Sequence, residues 1–230
     1  MGLTAWDRYP VRPGEWWAAG PHRFLCGDIE AGAFATLVAA LPAPAALVYT
    51  DPPWGQGNAA YWRTVAARAG VPAAPASYDR LLQAIGAGAA ASGAPAVWVE
   101  IGVRWATEAA ATLAPYLPPL AAVWTVTYGR PPRPNVLLGF SARPIAGDAS
   151  GLHGEAVTAW VFARQSVPGG IVLDPCVGRG MTARFAHRSG MACWGCELHP
   201  GRLAVTLDWL GRRGLPVARY TGTGDDRWPG

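Results

Sequence analysis

The sequence contains no lysine: all 19 of its basic residues are arginine. A phosphate-binding loop ending in Gly-Lys-Ser/Thr is therefore excluded, because nothing supplies its ammonium group. Cysteine is scarce as well, with four in 230 residues, too few to staple a chain of this length into a disulfide framework. No apolar run reaches the roughly eighteen residues that a membrane span needs, and the N-terminus lacks a basic segment followed by a hydrophobic one. The sequence thus predicts no membrane span and no signal peptide, and a reducing cytoplasm is the expected compartment.

What is present points to a packed α/β protein. Hydrophobic residues make up 51%, ample for a sizeable core, and the length fits one ordinary domain. A formal charge of +4 with a pI near 9.1 is mildly basic. That balance suits a polyanionic partner without demanding one, and the planar fork of arginine suits phosphate.

Along the chain, residues 1–21 read as irregular. "HRFLCGDI" is a short strand, "EAGAFATLVAALP" a helix, and "AALVYT" a buried strand with Asp51 just beyond it. Residues 55–77 read as a long connection rich in Gly, Asn, Pro and Ala. "SYDRLLQAIGAGAAAS" is a helix capped by Ser77, followed by strand "APAVWVEIG", helix "VRWATEAAATLAPYL" and strand "LAAVWTVTYG". The Pro-rich, basic stretch 130–152 shows no clear period. Helix "EAVTAWVFARQS", strand "GGIVLD", helix "MTARFAHRSG", strand "MACWGCE", helix "PGRLAVTLDWLGRRG" and a last strand "LPVARYTG" complete the series. Strands alternating with helices predict a doubly wound, mostly parallel sheet.

Two loops fall at the carboxyl ends of strands, where ligands bind in open α/β sheets. In "DPCVGRGMT", residues 174–182, an acid ends a buried strand, and Gly178 and Gly180 let the backbone turn into a helix and let a ligand approach. Glu197 ends the next strand, placed to accept both hydroxyls of a ribose. The dinucleotide pattern lacks its third glycine, which counts against a dinucleotide-dependent oxidoreductase. Asp174 at the mouth repels a pyrophosphate but attracts a cationic ligand, and S-adenosylmethionine fits. The second loop is Asp51-Pro52-Pro53-Trp54. Asp51 and the Pro52 carbonyl can accept hydrogen bonds from an exocyclic amino group, both prolines fix φ without offering an N–H, and Trp54 can stack on a base.

Together "VLDPCVGRGMTA", "WGCE" and "TDPPW" resemble the amino-methyltransferases of the DNA adenine and cytosine type, and the order of these motifs matches the circularly permuted group often called beta. The resemblance touches residues 22–58 and 153–200. It implies a seven-stranded Rossmann-like methyltransferase fold in a single domain. A catalytic half would span 22–129, a short candidate recognition loop 130–152, and a cofactor-binding half 153–221. The implied catalytic residues are Asp51, Pro52, Pro53 and Trp54. Those implied for the cofactor are Asp28 toward its adenine, the loop residues Asp174, Pro175, Cys176, Gly178, Gly180 and Thr182, and Glu197 toward its ribose.

Aspartate in the first position of the catalytic motif favours adenine in that family, so methylation of the adenine amino group in DNA is expected. A duplex substrate would have to flip its base out. Cytosine-N4 in DNA, RNA adenosine and a non-catalytic nucleic-acid-binding subunit are the alternatives. The chain departs from the family at His153-Gly154, Cys176 and Met181. Arg130, Arg133 and Arg143 are candidate phosphate contacts. The short stretch that carries them leaves sequence reading to residues 55–77, a homodimer mate or a separate specificity subunit. Trp16, Trp17 and Trp62 are candidates for lining the base pocket. His22, His187 and His199 read as surface or capping residues. Cys193 and Cys196 read as structural, and no metal is implied.

Overall fold

A computed structural model describes residues 4–71 and 75–220. Within them one nine-stranded sheet is flanked by helices on both faces. The strands are β1 (Trp16–Ala19), β2 (His22–Cys26), β3 (Leu47–Thr50), β4 (Ala96–Gly102), β5 (Leu120–Tyr128), β6 (Arg133–Ser141), β7 (Ile171–Asp174), β8 (Ala192–Glu197) and β9 (Val217–Tyr220). The helices are α1 (Ala5–Arg8), α2 (Ala33–Ala39), α3 (Gln56–Arg68), α4 (Tyr78–Ala91), α5 (Ala106–Leu113), α6 (Glu155–Gln165), α7 (Met181–Arg188) and α8 (Pro200–Gly211).

The sheet order is β5-β6-β4-β3-β7-β8-β2-β1-β9. The central five strands pair in parallel, and an antiparallel pair closes each side, β6 with β5 on one and β1 with β9 on the other. The α/β class therefore holds, but the sheet is mixed and has nine strands, not seven and mostly parallel. The central strands read as near-continuous apolar runs because helices cover both of their faces. Val157, Val161 and Phe162 of α6, with Leu203, Leu207 and Leu210 of α8, fill one side. Phe34 and Leu37 of α2, with Leu82, Ile85 and Ala89 of α4, fill the other. Trp98, Trp124 and Trp160 cluster under the β4–β6 side with ring centroids 5.0–5.7 Å apart; Trp98 is fully buried and the other two, partly buried, pack against the core.

Three stretches differ from their sequence reading. The supposed N-terminal coil holds α1, capped by Thr4, and strand β1, which pairs with β2. Much of the supposed connection after Gly55 is the 13-residue helix α3. It buries Ala59, Arg63 and Ala66, spaced four and three apart, so one of its inward positions is an arginine and the apolar period is interrupted. The Pro-rich stretch contains β6, buried without interruption from Asn135 to Ser141. A strand covered on both faces shows no alternation, which hides it from a period search. Residues 72–74 of the supposed connection and 221–222 of the last expected strand lie outside the described residues.

Candidate active site

The order in which the strands are connected reverses between the parallel neighbours β3 and β7. The chain continues from β3 to β4 on one side and from β7 to β8 on the other. A crevice opens at the carboxyl ends of strands flanking such a switch point. Here it is a cavity of about 290 Å³, bounded by the residues that follow β2 (Gly27–Glu30), β3 (Asp51–Trp54), β7 (Pro175, Cys176) and β8 (Leu198), and by Glu197. α3 contributes Asn58, Ala59, Trp62 and Arg63, while Tyr128 closes the β5 side and Arg202 the α8 side.

The turn after β3 is held from within. The Trp54 indole N–H donates to Asp51 Oδ1 at 2.6 Å, and the Trp54 backbone N–H donates to Asn58 Oδ1 at 3.2 Å. The Trp54 ring meets Tyr128 edge-on with centroids 5.4 Å apart. Trp54 thus anchors the acid through its polar edge as well as offering a ring to the cavity. Burial pushes the Asp51 carboxyl up to about 6, opposed by the Trp54 hydrogen bond and the Arg202 charge.

Behind Asp51 lies a second acid. The β3–β4 register pairs Thr50 with Val99, so Asp51 comes opposite Glu100 when extended by one residue. Glu100 is 1% exposed and accepts a hydrogen bond from the Tyr49 hydroxyl, which lies 2.8 Å from Thr158 Oγ1. Burial and, after it, the charge of Asp51 push Glu100 up to about 8. Two neighbouring buried carboxyls do not both ionise readily, so the charge of Asp51 and the burial of Glu100 both favour the protonated form of Glu100.

A buried carboxyl with raised proton affinity makes the fold less stable as pH climbs from its unfolded value, near 4.5, to its folded value, about 8. Glu100→Gln is therefore expected to gain on wild type across that window, seen as a Tm difference that widens between about pH 5 and 8. A difference independent of pH would contradict the burial of an ionisable proton at this position.

The turn after β7 is built on Asp174. Its carboxyl accepts from Thr50 Oγ1 at 2.9 Å, Thr182 Oγ1 at 2.5 Å and the Cys176 backbone N–H at 2.9 Å. Burial pushes it up to about 7, against these hydrogen bonds. Asp174 and Thr182 are both 2% exposed and do not line the cavity; they brace the turn and tie β7 to β3 and α7. Gly178 and Gly180 also lie outside the lining and adopt left-handed φ of +60° and +83°. Of the residues expected at the cofactor, Asp28, Pro175, Cys176 and Glu197 line the cavity; of those expected at the catalytic turn, Asp51, Pro52, Pro53 and Trp54 all do.

Asp28 caps the turn after β2 through the Glu30 backbone N–H at 3.0 Å, and both of its oxygens receive Arg63 at 2.7 and 3.1 Å. Glu197 accepts from the His199 backbone N–H through Oε1 at 2.8 Å. Arg63, Asn58, Glu30, Tyr128 and Arg202 are site residues that sequence reasoning did not single out. Arg63 and Asn58 were hidden with α3, although "AAYWRTVAARA" has the composition of a helix.

Other candidates fall elsewhere. Trp62 lines the cavity, whereas Trp16 and Trp17 belong to β1 and Trp17 packs in the core. Arg130 and Arg133 are exposed at the β5–β6 turn near Tyr128. Arg143 is exposed beyond the far end of β6, where Ser141 pairs with Ala96, the first residue of β4, so the strands separate it from the cavity. His22 is buried, unlike a surface residue: its Nδ1 accepts the Cys193 backbone N–H at 3.0 Å, and burial pulls it down to about 4. Cys193 and Cys196 are free thiols that pack in different core clusters on β8. No helix among the described residues is long and apolar enough to cross a membrane.

No protein-family model matches the chain. No curated protein matches its sequence. Its fold, however, is the Rossmann-like methyltransferase fold seen in several solved structures. TTHA0409 of Thermus thermophilus superposes with a TM-score of 0.59 at 15% identity, over 83% of this chain and 95% of its own. The PvuII DNA methyltransferase, specific for cytosine-N4, gives 0.58 at 12% identity over 82% and 88%. M1.HpyAVI gives 0.57 at 14% identity over 82% and 98%. Complexes of M1.HpyAVI with SAM and of TTHA0409 with S-adenosyl-L-methionine also match, at 0.52 and 0.53.

Proposed function

We propose that the chain is an S-adenosylmethionine-dependent methyltransferase of permuted order that acts on the exocyclic amino group of adenine in DNA. The observation that carries this reading is the single cavity shared by the Asp51–Trp54 turn and by Asp28, Pro175, Cys176 and Glu197. These groups come from segments more than a hundred positions apart and meet at the switch point of the sheet.

The lining fits the cofactor. Asp28 and Glu197 would hold its adenine amino group and ribose hydroxyls, with Ile29 and Leu198 as apolar neighbours and Pro175-Cys176 beneath. When bound, S-adenosylmethionine supplies an electrophilic methyl group. The chain's own residues prepare the acceptor. An amino nitrogen on a base is a poor nucleophile because its lone pair is delocalised into the ring. Asp51 Oδ1 is occupied by Trp54, which leaves Oδ2 to accept one amino N–H, with the Pro52 carbonyl for the other. Two acceptors orient the lone pair and stabilise the positive charge that develops on the nitrogen. The Trp54–Tyr128 wall excludes water from one side, and a flipped base enters against it. Arg130 and Arg133, exposed at the β5–β6 turn, would contact the phosphates beside a flipped base. Direct transfer of a methyl group from a sulfonium to an amino nitrogen does not call for a metal.

The test uses methyl-labelled S-adenosylmethionine and duplex DNA of mixed sequence, followed by digestion to nucleosides and chromatography. Label is expected in N6-methyldeoxyadenosine. Label in N4-methyldeoxycytidine would move the reading to cytosine, and transfer only to RNA would replace the DNA substrate. Cofactor binding without transfer to any of these would indicate a non-catalytic subunit.

A further inference from the structure

The cavity wall carries four acids, Asp28, Glu30, Asp51 and Glu197, and two cations, Arg63 and Arg202. The two arginines are in opposite situations. The Arg63 fork is committed, at 2.7 and 3.1 Å to Asp28 and 2.5 Å to Glu30. Arg202 Nε is buried with no hydrogen-bond partner among the described residues. Its nearest acid oxygen, Glu197 Oε2, is 3.8 Å away, beyond a hydrogen bond.

This guanidinium is nonetheless held in place. It lies 4.1 Å from the centre of the Trp62 ring, so one face is covered by the indole. One terminal nitrogen sits 2.7 Å from where a Cβ on Gly178 would be, so a larger residue at 178 would displace it. A flat cation is thus clamped between α3 and the turn after β7, in a loose ion pair with Glu197 and with no hydrogen bond to any of the described residues. Such a fork matches a carboxylate, with which it can form two parallel charge-assisted hydrogen bonds.

We infer that Arg202 binds the α-carboxylate of the amino-acid portion of the cofactor, an assignment that rests on the methyl-donor reading above. A DNA phosphate offers related chemistry but fits the position less well. The Arg202 side chain is only 27% exposed and is set in the wall beside Glu197, under Trp62. A flipped base brings its own ring into the cavity while its phosphates stay at the rim.

The test compares two nucleosides by calorimetric titration of the full chain without DNA. S-adenosylhomocysteine carries the amino-acid portion; 5′-methylthioadenosine has the same adenosine and sulfur but lacks it. Loss of a hydrogen-bonded charge pair corresponds to about 10- to 100-fold in affinity. Arg202→Met is expected to weaken S-adenosylhomocysteine by that factor and to leave 5′-methylthioadenosine within about threefold. Arg202→Lys, which keeps the charge and loses the fork, is expected to fall between wild type and Arg202→Met. An equal loss for both nucleosides, no loss for either, or a loss confined to DNA affinity would each overturn the assignment. Failure of the wild-type chain to bind either nucleoside would remove the methyl-donor reading itself, and this assignment with it; that result is recognised before any variant is made.

Discussion

Asp51→Ala is expected to reduce methyl transfer by about 10³-fold or more, the cost of losing a pre-aimed electrostatic group at a developing charge, while cofactor affinity stays within about threefold of wild type. The two readouts separate because Asp51 lies on the turn after β3, whereas the residues assigned to the cofactor follow β2 and β7, end β8 or lie on α8. Asp51→Asn sharpens the test: it keeps an oxygen acceptor but removes the charge. Its rate is expected to be low at every pH, whereas the wild-type rate should fall as the pH drops through the Asp51 value of about 6. Turnover by Asp51→Ala at the wild-type rate would eliminate the mechanism.

Gly180→Val should lower the Tm by about 10 °C. At φ of +83° a side chain is strained, and a β-branched one most of all. The added Cβ would also lie 2.7 Å from Thr206 Cγ2 and 2.8 Å from its Oγ1. Thr206 cannot readily withdraw, since it is 1% exposed and its hydroxyl donates to the Gly178 carbonyl at 3.2 Å. Backbone strain and overpacking each cost about 1–3 kcal/mol. In a chain of this size each kcal/mol shifts the Tm by about 2–4 °C. Thermal melts followed by circular dichroism measure it, with Gly180→Ala as the milder comparison. An unchanged melt would mean that the turn does not need a left-handed residue there.

Much of this site is legible in the sequence because its chemistry is local. An acid at the end of an apolar run, two prolines and an indole describe one turn, and Asp174 to Gly180 describe another. Their meeting follows from the rule for parallel sheets, without tertiary detail. What could not be read is what tertiary packing decides. Asp174 looks like a ligand group in the sequence, yet it is buried outside the cavity lining, where it binds Thr50, Thr182 and the Cys176 N–H. Glu100 sits inside "AVWVEIG", where one acid in a strand gives no hint that it stands behind Asp51. Arg63 interrupts the apolar spacing of α3 because it serves Asp28 and Glu30 rather than the core. Arg202 lies in the first turn of α8, and its role rests on Trp62 being brought over it by a distant helix. Nothing in the local pattern records either contact.

The pairing of β9 with β1, in which Trp17 faces Arg219 and Ala19 faces Val217, has a consequence for how this architecture can be rearranged. It leaves the first and last strands of the described residues neighbours on one border, about 5 Å apart. Which motif comes first is then a property of where the backbone is opened. Joining that border by a short tether and cutting between β6 and α6 would put the glycine turn ahead of the proline turn while leaving every strand beside its present neighbours.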